Sequence, residues 1–365
     1  MTSVAMMAGV GLISGPPATA LDEGSQQLAG KRGILTDFGY DATAYGSKSD
    51  DNTTADSDAT AVSHLPCTRY VPRDRDNHVA NSDQGGVTLR NVDTHNFTRQ
   101  RNGVTSATSV ATAEGGKMAG GAVRFTDLRA SNRSLHERGE GFRVEQVSSI
   151  GSLEVSGVNV PIPSNGRTFT VPVPGRGDLV VNERKRKVTK RSAVGTVNVL
   201  KFVGTDGTVQ RTAHAQSRID GNVEGGVFQG GAVGSRAVVA DTATSKKGAA
   251  QPIPCPGTFG KVLESSTGEA NPTFGVLGAR RSFAYGVQRD NRSAEGYTRS
   301  IVESASFGAL TLRNIRGRAN VTRQADGDVK RNARGTGVGS ITVAGQEQDK
   351  PPAGEAQRFP GGEYT

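Results

Sequence analysis

Six of the eight residues in Arg184–Arg191 (RKRKVTKR) are basic: Arg184, Lys185, Arg186, Lys187, Lys190 and Arg191. Such a cluster holds anionic groups by charge, with an affinity that falls steeply as salt rises. The competing reading is a solvated hairpin tip between two strands, because no aromatic side chains interleave with the cations. The only cysteines, Cys67 and Cys255, form the second candidate pair. In an oxidising compartment a disulfide between them is one expectation, links between neighbouring subunits a second, and a buried unpaired thiol a third. A bridge within the chain would contribute roughly 4–5 kcal/mol in the chain-entropy model. It needs the two Cα atoms within about 7 Å of each other.

The remaining reactive residues do not assemble into a site by spacing. His64, His78, His95, His136 and His214 show no paired-ligand spacing for zinc. The acidic run Ser49–Asp58 would attract calcium, but it lacks the glycine and closing glutamate of an EF-hand loop and reads as a polar surface loop. There is no nucleophile elbow and no P-loop, and GTGVG (Gly335–Gly339) leads into a strand, so it reads as a turn. A glycan hydrolase would need two converging carboxylates, and no spacing nominates them. No catalytic residue, metal ligand or cofactor is therefore assigned, and a non-enzymatic protein is expected.

The elements that must carry these residues read as strands. The 365 residues include 49 glycines and no tryptophan, with 34% hydrophobic residues. A chain rich in Val, Thr, Ser and Ala favours short strands and many turns around a lean core. The formal net charge is +9, from 44 Lys and Arg against 35 Asp and Glu. That excess favours polyanions in general, and apart from Arg184–Arg191 the cations are scattered along the sequence.

Val4–Ala20 (VAMMAGVGLISGPPATA) is a short apolar stretch ending in Ala18-Thr19-Ala20. It resembles a secretory signal peptide cut after Ala20, although no Lys or Arg precedes Lys31. It is too short for a membrane span of ~20 apolar residues, so no transmembrane segment is expected. Residues 21–36 would then form a Gly-rich N-terminal arm.

The chain also repeats itself. Gly46-Ser47 aligns with Gly234-Ser235, and Cys67 with Cys255, each at a shift of 188. GAVRFTDLRASN (Gly121–Asn132) aligns with GALTLRNIRGRAN (Gly308–Asn320) at 187, and GSLEVSG (Gly151–Gly157) with GSITVAG (Gly339–Gly345) at 188. Four blocks holding one offset indicate a tandem duplication. The predicted modules are residues 37–225 and 226–365. The second has no counterpart to the strands that follow Gly157 in the first, from RTFTVPVPG to TVQRTAHAQSRID.

Alternation supports the strands: Phe169, Val171 and Val173, Leu153 and Val155, Ile341 and Val343. Ala193–Gly204 is apolar on both parities (Val197, Val199, Leu200, Phe202), as for a strand covered on two faces. In the repeated phrase the order Val123, Phe125, Leu128 breaks period two, and Leu310, Leu312, Ile315 break it identically. That predicts a β-bulge or tight bend in both copies. The flanking glycines argue against a helix there.

FGYDATAYGS near the start, the Pro-Cys block and GSLEVSGVNVPIPSNGRTFTVPVPGRGDLVVNER followed by VNVLKF resemble the choice-of-anchor P family. The family's G-x-G-x-(V/L)-x-(L/V)-N-E block is matched by Gly175–Glu183, with Asn182 and Glu183 as its Asn-Glu pair. Its next strand resembles Val197–Phe202 and its Ala-His strand TAHAQS. The resemblance implies a protein exported by high-GC Gram-positive bacteria and carrying a variable C-terminal anchor, with no established activity. Two departures stand out. The sequence ends RFPGGEYT without a sortase-type signal, and RKRKVTKR replaces a segment that is usually uncharged.

The expectation is an all-β protein of two tandem, related antiparallel β-sandwich-like modules, the second lacking its C-terminal strands. It is expected to be secreted, displayed at the cell surface and self-assembling. A sheet without its last strands leaves backbone groups and an apolar face open, which strand exchange between subunits would cover, extending to a filament if applied head to tail. Leu21–Thr36 is the candidate donor. The alternative is a secreted binding module for anionic polymers, cell-wall polymer or nucleic acid, acting through the basic loop.

Overall fold

The computed structural model describes residues 33–50, 55–56, 59–236, 238–239, 243–245, 247–271, 275–351, 357–359 and 362–364. The leader-like Val4–Ala20 lies outside them, as does most of the arm. Ile34–Thr36, expected to end that arm, instead open the first strand, where Ile34 and Leu35 pair with Val71 and Tyr70. The described residues form an all-β protein of antiparallel sheets. No helix among them is long and apolar enough to cross a membrane. They divide into two compact units, one built from Gly33–Gln229 with Ala243–Ser245, the other from the described residues of Gly230–Thr242 and Lys246–Thr365.

The first unit opens with β1 (Ile34–Asp50), β2 (Ala55–Asp56), β3 (Ser63–Val71), β4 (Arg73–Gln84) and β5 (Val87–Arg101). It continues with β6 (Val104–Met118), β7 (Val123–Glu137), β8 (Gly141–Ser149), β9 (Ser152–Val155) and β10 (Val158–Asn159). It closes with β11 (Phe169–Val173), β12 (Gly177–Val188), β13 (Ser192–Gly204) and β14 (Val209–Asp220). One sheet runs β11-β12-β13-β14-β1, with β3 also on β1; the other runs β10-β9-β7-β6-β5-β4, with β8 also on β7. β1, β13 and β14 lie across β5, β6, β7 and β8, which makes the unit a sandwich.

The parity break read in the repeated phrase belongs to whole sheets. Inward residues run Val123, Phe125, then Leu128 and Ala130 on β7, and Val87, Leu89, then Val92 and Thr94 on β5. They run Ala42, Ala44, then Ser47 and Ser49 on β1. The pairing skips one rung at each change, and alternate strands place a left-handed residue there. These are Asn91 (φ 43°) and Asp127 (φ 52°) in one sheet and Asn182 (φ 58°) and Ala213 (φ 48°) in the other, with Ala61 (φ 49°) in the turn just before β3. Asn and Asp tolerate this conformation better than other residues with a Cβ. β13 crosses the same row at Val199, so Val197 and then Leu200 and Phe202 enter one core. Its two-parity apolar pattern marks the bend, and its outer side carries the half-buried Thr196 and Lys201 and the buried Asn198.

Small residues, Ala, Ser and Thr, stand among the larger apolar side chains of the inner faces, and the sheets approach closely enough for polar contacts between them. Ser217 Oγ on β14 accepts from Asn132 Nδ2 (2.7 Å) and the Ser134 amide (3.0 Å), and donates to the Asn132 carbonyl (3.1 Å). A Cβ added at Gly195 would stand 2.2 Å from Asn132 Oδ1, so glycine is required at that crossing.

Between the units' chain segments, β16 (Val238–Val239) and β17 (Ala243–Ser245) follow β15 (Gly231–Ser235), and β17 pairs with β2. The second unit holds β15 and β18 (Gly248–Pro252), which pair with each other, then β19 (Leu263–Thr267), β20 (Val276–Leu277), β21 (Arg280–Gln288) and β22 (Ala294–Phe307). β23 (Leu310–Arg323), β24 (Val329–Asn332), β25 (Ser340–Val343) and β26 (Gln346–Gln348) follow, then a hairpin of β27 (Gln357–Phe359) and β28 (Gly362–Tyr364). Its large sheet runs β19-β21-β22-β23-β25-β26, with β20 on β22 and β24 on β23.

Positions 187 or 188 residues apart share backbone geometry. Ala61 and Ala249 both have φ 49°, Asp127 and Asn314 have 52° and 51°, and Ser156 and Ala344 have 50° and 49°. The Gly151 amide donates to the Thr126 carbonyl and the Gly339 amide to the Arg313 carbonyl, each at 2.9 Å. Burial differs. Leu128, Ala130, Asn132 and Ser134 are buried in the first unit, whereas Ile315, Gly317 and Val321 are half-buried and Ala319 is exposed in the second. The hydrogen-bonded turn lies at Ala333–Thr336, where the Thr336 amide donates to the Ala333 carbonyl at 3.0 Å, and of the residues Gly335–Gly339 expected as a turn Gly337 instead bridges to Arg316 before β25 begins.

Candidate ligand cleft and basic surfaces

β11 pairs with β12 only as far as Val181, so Glu183–Val188 form a free edge of the sheet among the described residues. Arg184, Lys185, Arg186 and Lys187 pair inward with Val197–Val194 of β13, and Lys190 and Arg191 occupy the turn that joins the two strands. The cluster is thus an edge strand plus its hairpin tip. Arg186, Lys187, Lys190 and Arg191 are exposed and have no acidic partner among the described residues. Lys185 reaches Glu183 Oε1 at 3.3 Å. Arg184 alone turns inward, where its Nη2 donates to Ser148 Oγ of β8 at 2.8 Å.

The left-handed bend at Asn182 decides which side each neighbour takes. Glu183 goes to the outer face, accepting from Asn198 Nδ2 at 2.6 Å and Lys201 Nζ at 3.0 Å. Burial works to raise the Glu183 carboxyl, but the Lys201 and Asn198 hydrogen bonds outweigh it and hold it below the usual range. An ionised carboxylate only accepts, so Asn198 must turn its amide nitrogen to Glu183 and its oxygen to His214. His214 Nδ1 lies 2.7 Å from that oxygen and donates to it. Burial, with the Arg211 cation adding to it, lowers the His214 pKa to about 4, so the ring is neutral near pH 7. Tyr45 stacks on it at 4.2 Å. The network ties together β12, β13, β14 and β1.

On the inner side, Asn182 lines a cleft of about 640 Å³ with Ser148, Gly151, Asn159, Ile162 and Gly166. Asn182 is 2% exposed, and its Oδ1 has no hydrogen-bond partner. Arg184 Nε is likewise buried and unpartnered. A Cβ built on Gly166 (φ 60°) would meet Arg184 Nη2 at 2.8 Å, so the guanidinium lies against Gly166. The Thr168 hydroxyl donates to the Asn182 carbonyl at 2.6 Å and secures that loop's far end.

The second unit carries a basic surface that a linear scan misses. Arg299 of β22 lies 4.4 Å over the Phe283 ring of β21, with Arg281 at 5.1 Å from the same ring. Arg318 of β23 lies 4.4 Å over Tyr297, which stacks on Tyr285 at 5.3 Å. Cations and aromatics do interleave in this chain, but across three strands and not along one.

The other singled-out residues have local partners. His64 bonds Thr43 Oγ1 (2.9 Å), His78 bonds Asp93 (2.8 Å), His95 bonds Asp74, and His136 packs between Phe38 and Phe142. In the acidic run, Asp50 is held by Arg211 and by Lys48 (3.1 Å), and residues 51–54, 57 and 58 lie outside the described residues. Neither cysteine is free: Cys67 and Cys255 are both disulfide-bonded, which removes the unpaired-thiol reading.

No protein-family model matches the chain, and no curated protein and no solved structure matches it either. The likeness to the choice-of-anchor P family rests on the residues quoted for it.

Proposed function

We propose that this chain is a non-enzymatic β-protein of the cell exterior that holds an anionic polymer along the edge of β12. One observation carries the reading: Arg186, Lys187, Lys190 and Arg191 stand exposed on a free edge and its tip without acidic partners among the described residues. Cations left unpaired on a fixed backbone attract polyanions without first breaking internal ion pairs. The leader-like Val4–Ala20 and the family likeness support the exterior location. The test is retention on a polyanion column over a salt gradient, comparing the chain with a variant carrying Arg186→Gln, Lys187→Gln, Lys190→Gln and Arg191→Gln. The variant is expected to elute at markedly lower salt, and unchanged elution refutes the reading.

Self-association is the second reading, and the face of Ile315, Gly317, Ala319 and Val321 favours it. The residues at equivalent positions of the first unit lie beneath β13 and β14, and such a small-residue face packs well against strands. Sedimentation over a concentration series is expected to show a dimer or larger species that Ala319→Lys with Val321→Lys returns to monomer. A monomer throughout rejects it.

A further inference from the structure

We propose that the arginine-aromatic face of β21, β22 and β23 is a stacking platform for single-stranded nucleic acid, a second site that does not depend on the edge of β12. Side chains directly opposite each other in an antiparallel pair share one face of the sheet. The register therefore sets Phe283, Arg299 and Arg318 side by side on one rung. Tyr285, Tyr297 and Asn320 occupy the rung on one side of them, and Arg281, Ile301 and Arg316 the rung on the other. β15 and β18 pack on the opposite face, where Arg280 Nη1 donates to Ser235 Oγ at 2.9 Å and Ser282 and Ala284 are fully buried. The arginine face reaches solvent: Arg281 and Arg316 are exposed, and Tyr285, Tyr297, Arg299 and Arg318 are half-buried.

Charge and planarity together identify the ligand. Like charges directly opposite each other destabilise a sheet. Yet Arg299 stands opposite Arg318, and neither they nor Arg316 have an acidic partner among the described residues. The carboxylates nearest in register are already held, Glu264 by Arg281 at 2.7 Å and Glu295 by Arg289 at 2.5 Å. A phosphate between Arg299 and Arg318 would relieve their repulsion with charge-assisted hydrogen bonds. The same arginines belong to planar stacks. Arg318, Tyr297 and Tyr285 form one, with the guanidinium 4.4 Å from the first ring and the two rings 5.3 Å apart at 20°. Arg299 and Arg281 lie over Phe283 in the other. Nucleobases extend such stacks on aromatic rings and on guanidinium planes alike, whatever their sequence. A polyanion without bases gains the charge alone, and a duplex keeps its bases in its own stack. A single strand presents phosphates and free bases together.

Fluorescence anisotropy at one fixed salt concentration tests this with three labelled oligomers of equal length: thymidylate, uridylate and an abasic deoxyribose phosphate. The full chain carries Arg186→Gln, Lys187→Gln, Lys190→Gln and Arg191→Gln throughout, which takes the β12 edge out of the measurement and makes the outcome independent of the edge reading. At least one base-bearing probe is expected to bind roughly tenfold or more tightly than the abasic one, the contribution of about one stacked base. Which of the two binds tighter identifies the source, DNA or RNA. Adding Arg299→Lys with Arg318→Lys keeps the charge and removes the guanidinium planes. That pair is expected to abolish the preference for bases while leaving abasic binding unchanged. Arg316→Glu, at an exposed position of the same face, leaves the stacks in place and is expected to weaken the base-bearing probes roughly tenfold through charge. The assignment is overturned if the abasic oligomer binds as tightly as both others, if the lysine pair keeps the full preference, or if Arg316→Glu changes nothing.

Discussion

Asp127 and Asn314, 187 residues apart, take the same left-handed backbone conformation, φ 52° and 51°, at equivalent rungs of β7 and β23. Each sits where the pairing with its neighbour skips one rung, between Leu128 and Thr126 in one unit and between Ile315 and Arg313 in the other. Asp127→Val, which sets a β-branched residue in that conformation, is expected to destabilise the first unit by roughly 1–3 kcal/mol. Asp127→Asn should stay within about 0.5 kcal/mol of the parent. Urea unfolding of the two variants measures the difference.

Ser217 is expected to matter more than its size suggests. Ser217→Ala leaves Asn132 Nδ2 and the Ser134 amide without their acceptor between the sheets. Each unsatisfied buried donor costs about 1–3 kcal/mol, so a loss of roughly 2–6 kcal/mol is expected in urea unfolding. Ser134→Ala, which removes one hydroxyl and keeps Ser217, should cost less.

Acid should weaken the fold partly through His214. The ring is neutral in the native state down to about pH 4, while the unfolded chain protonates near 6.5. The unfolded state therefore binds more protons in that window, and stability present above pH 6.5 is lost as pH falls toward 4. The contribution is on the order of 3 kcal/mol. Asp41 and Asp220, whose carboxyls burial raises, act with the opposite sign, so the parent alone does not isolate it. Comparing the unfolding midpoint of the parent with that of His214→Gln from pH 7 to pH 4 does, and the variant should show the shallower decline.

The arginine layer of the second unit is expected to be worth more as flat surface than as charge. Arg299→Ala should cost about 1 kcal/mol in unfolding free energy through the lost contact with Phe283. Arg299→Lys keeps the charge without the planar stack and should recover only part of it. A full recovery by lysine would assign the effect to charge alone.

How much of this was legible in the sequence depends on how far apart the cooperating residues lie. Alternation in Phe169–Val173 and Leu153–Val155 gives strands because period two is local. The break between Phe125 and Leu128 is local as well, and it identifies a bend. Its extent was hidden, because the row is completed by Asn91, Asn182 and Ala213 from other strands and by Ala61 from the turn before β3. For the same reason the two-parity apolar run Val197–Phe202 conceals a change of face at Val199. The basic cluster was visible as a run. The cleft was not, because Ser148, Asn159, Gly166 and Asn182 come from separate segments, and the stacked Arg281, Arg299 and Arg318 come from three strands.

The free edge of β12 also governs how copies of this chain meet. An unpaired strand edge invites pairing with an identical edge, and here that approach would bring two rows of like charge together. Glu183–Val188 is thereby guarded against sheet-to-sheet growth at low ionic strength, and Val188, 46% exposed, is its least guarded residue. Salt or a bound polyanion would screen the guard, so aggregation by this route should rise with ionic strength, the reverse of the trend for polymer retention.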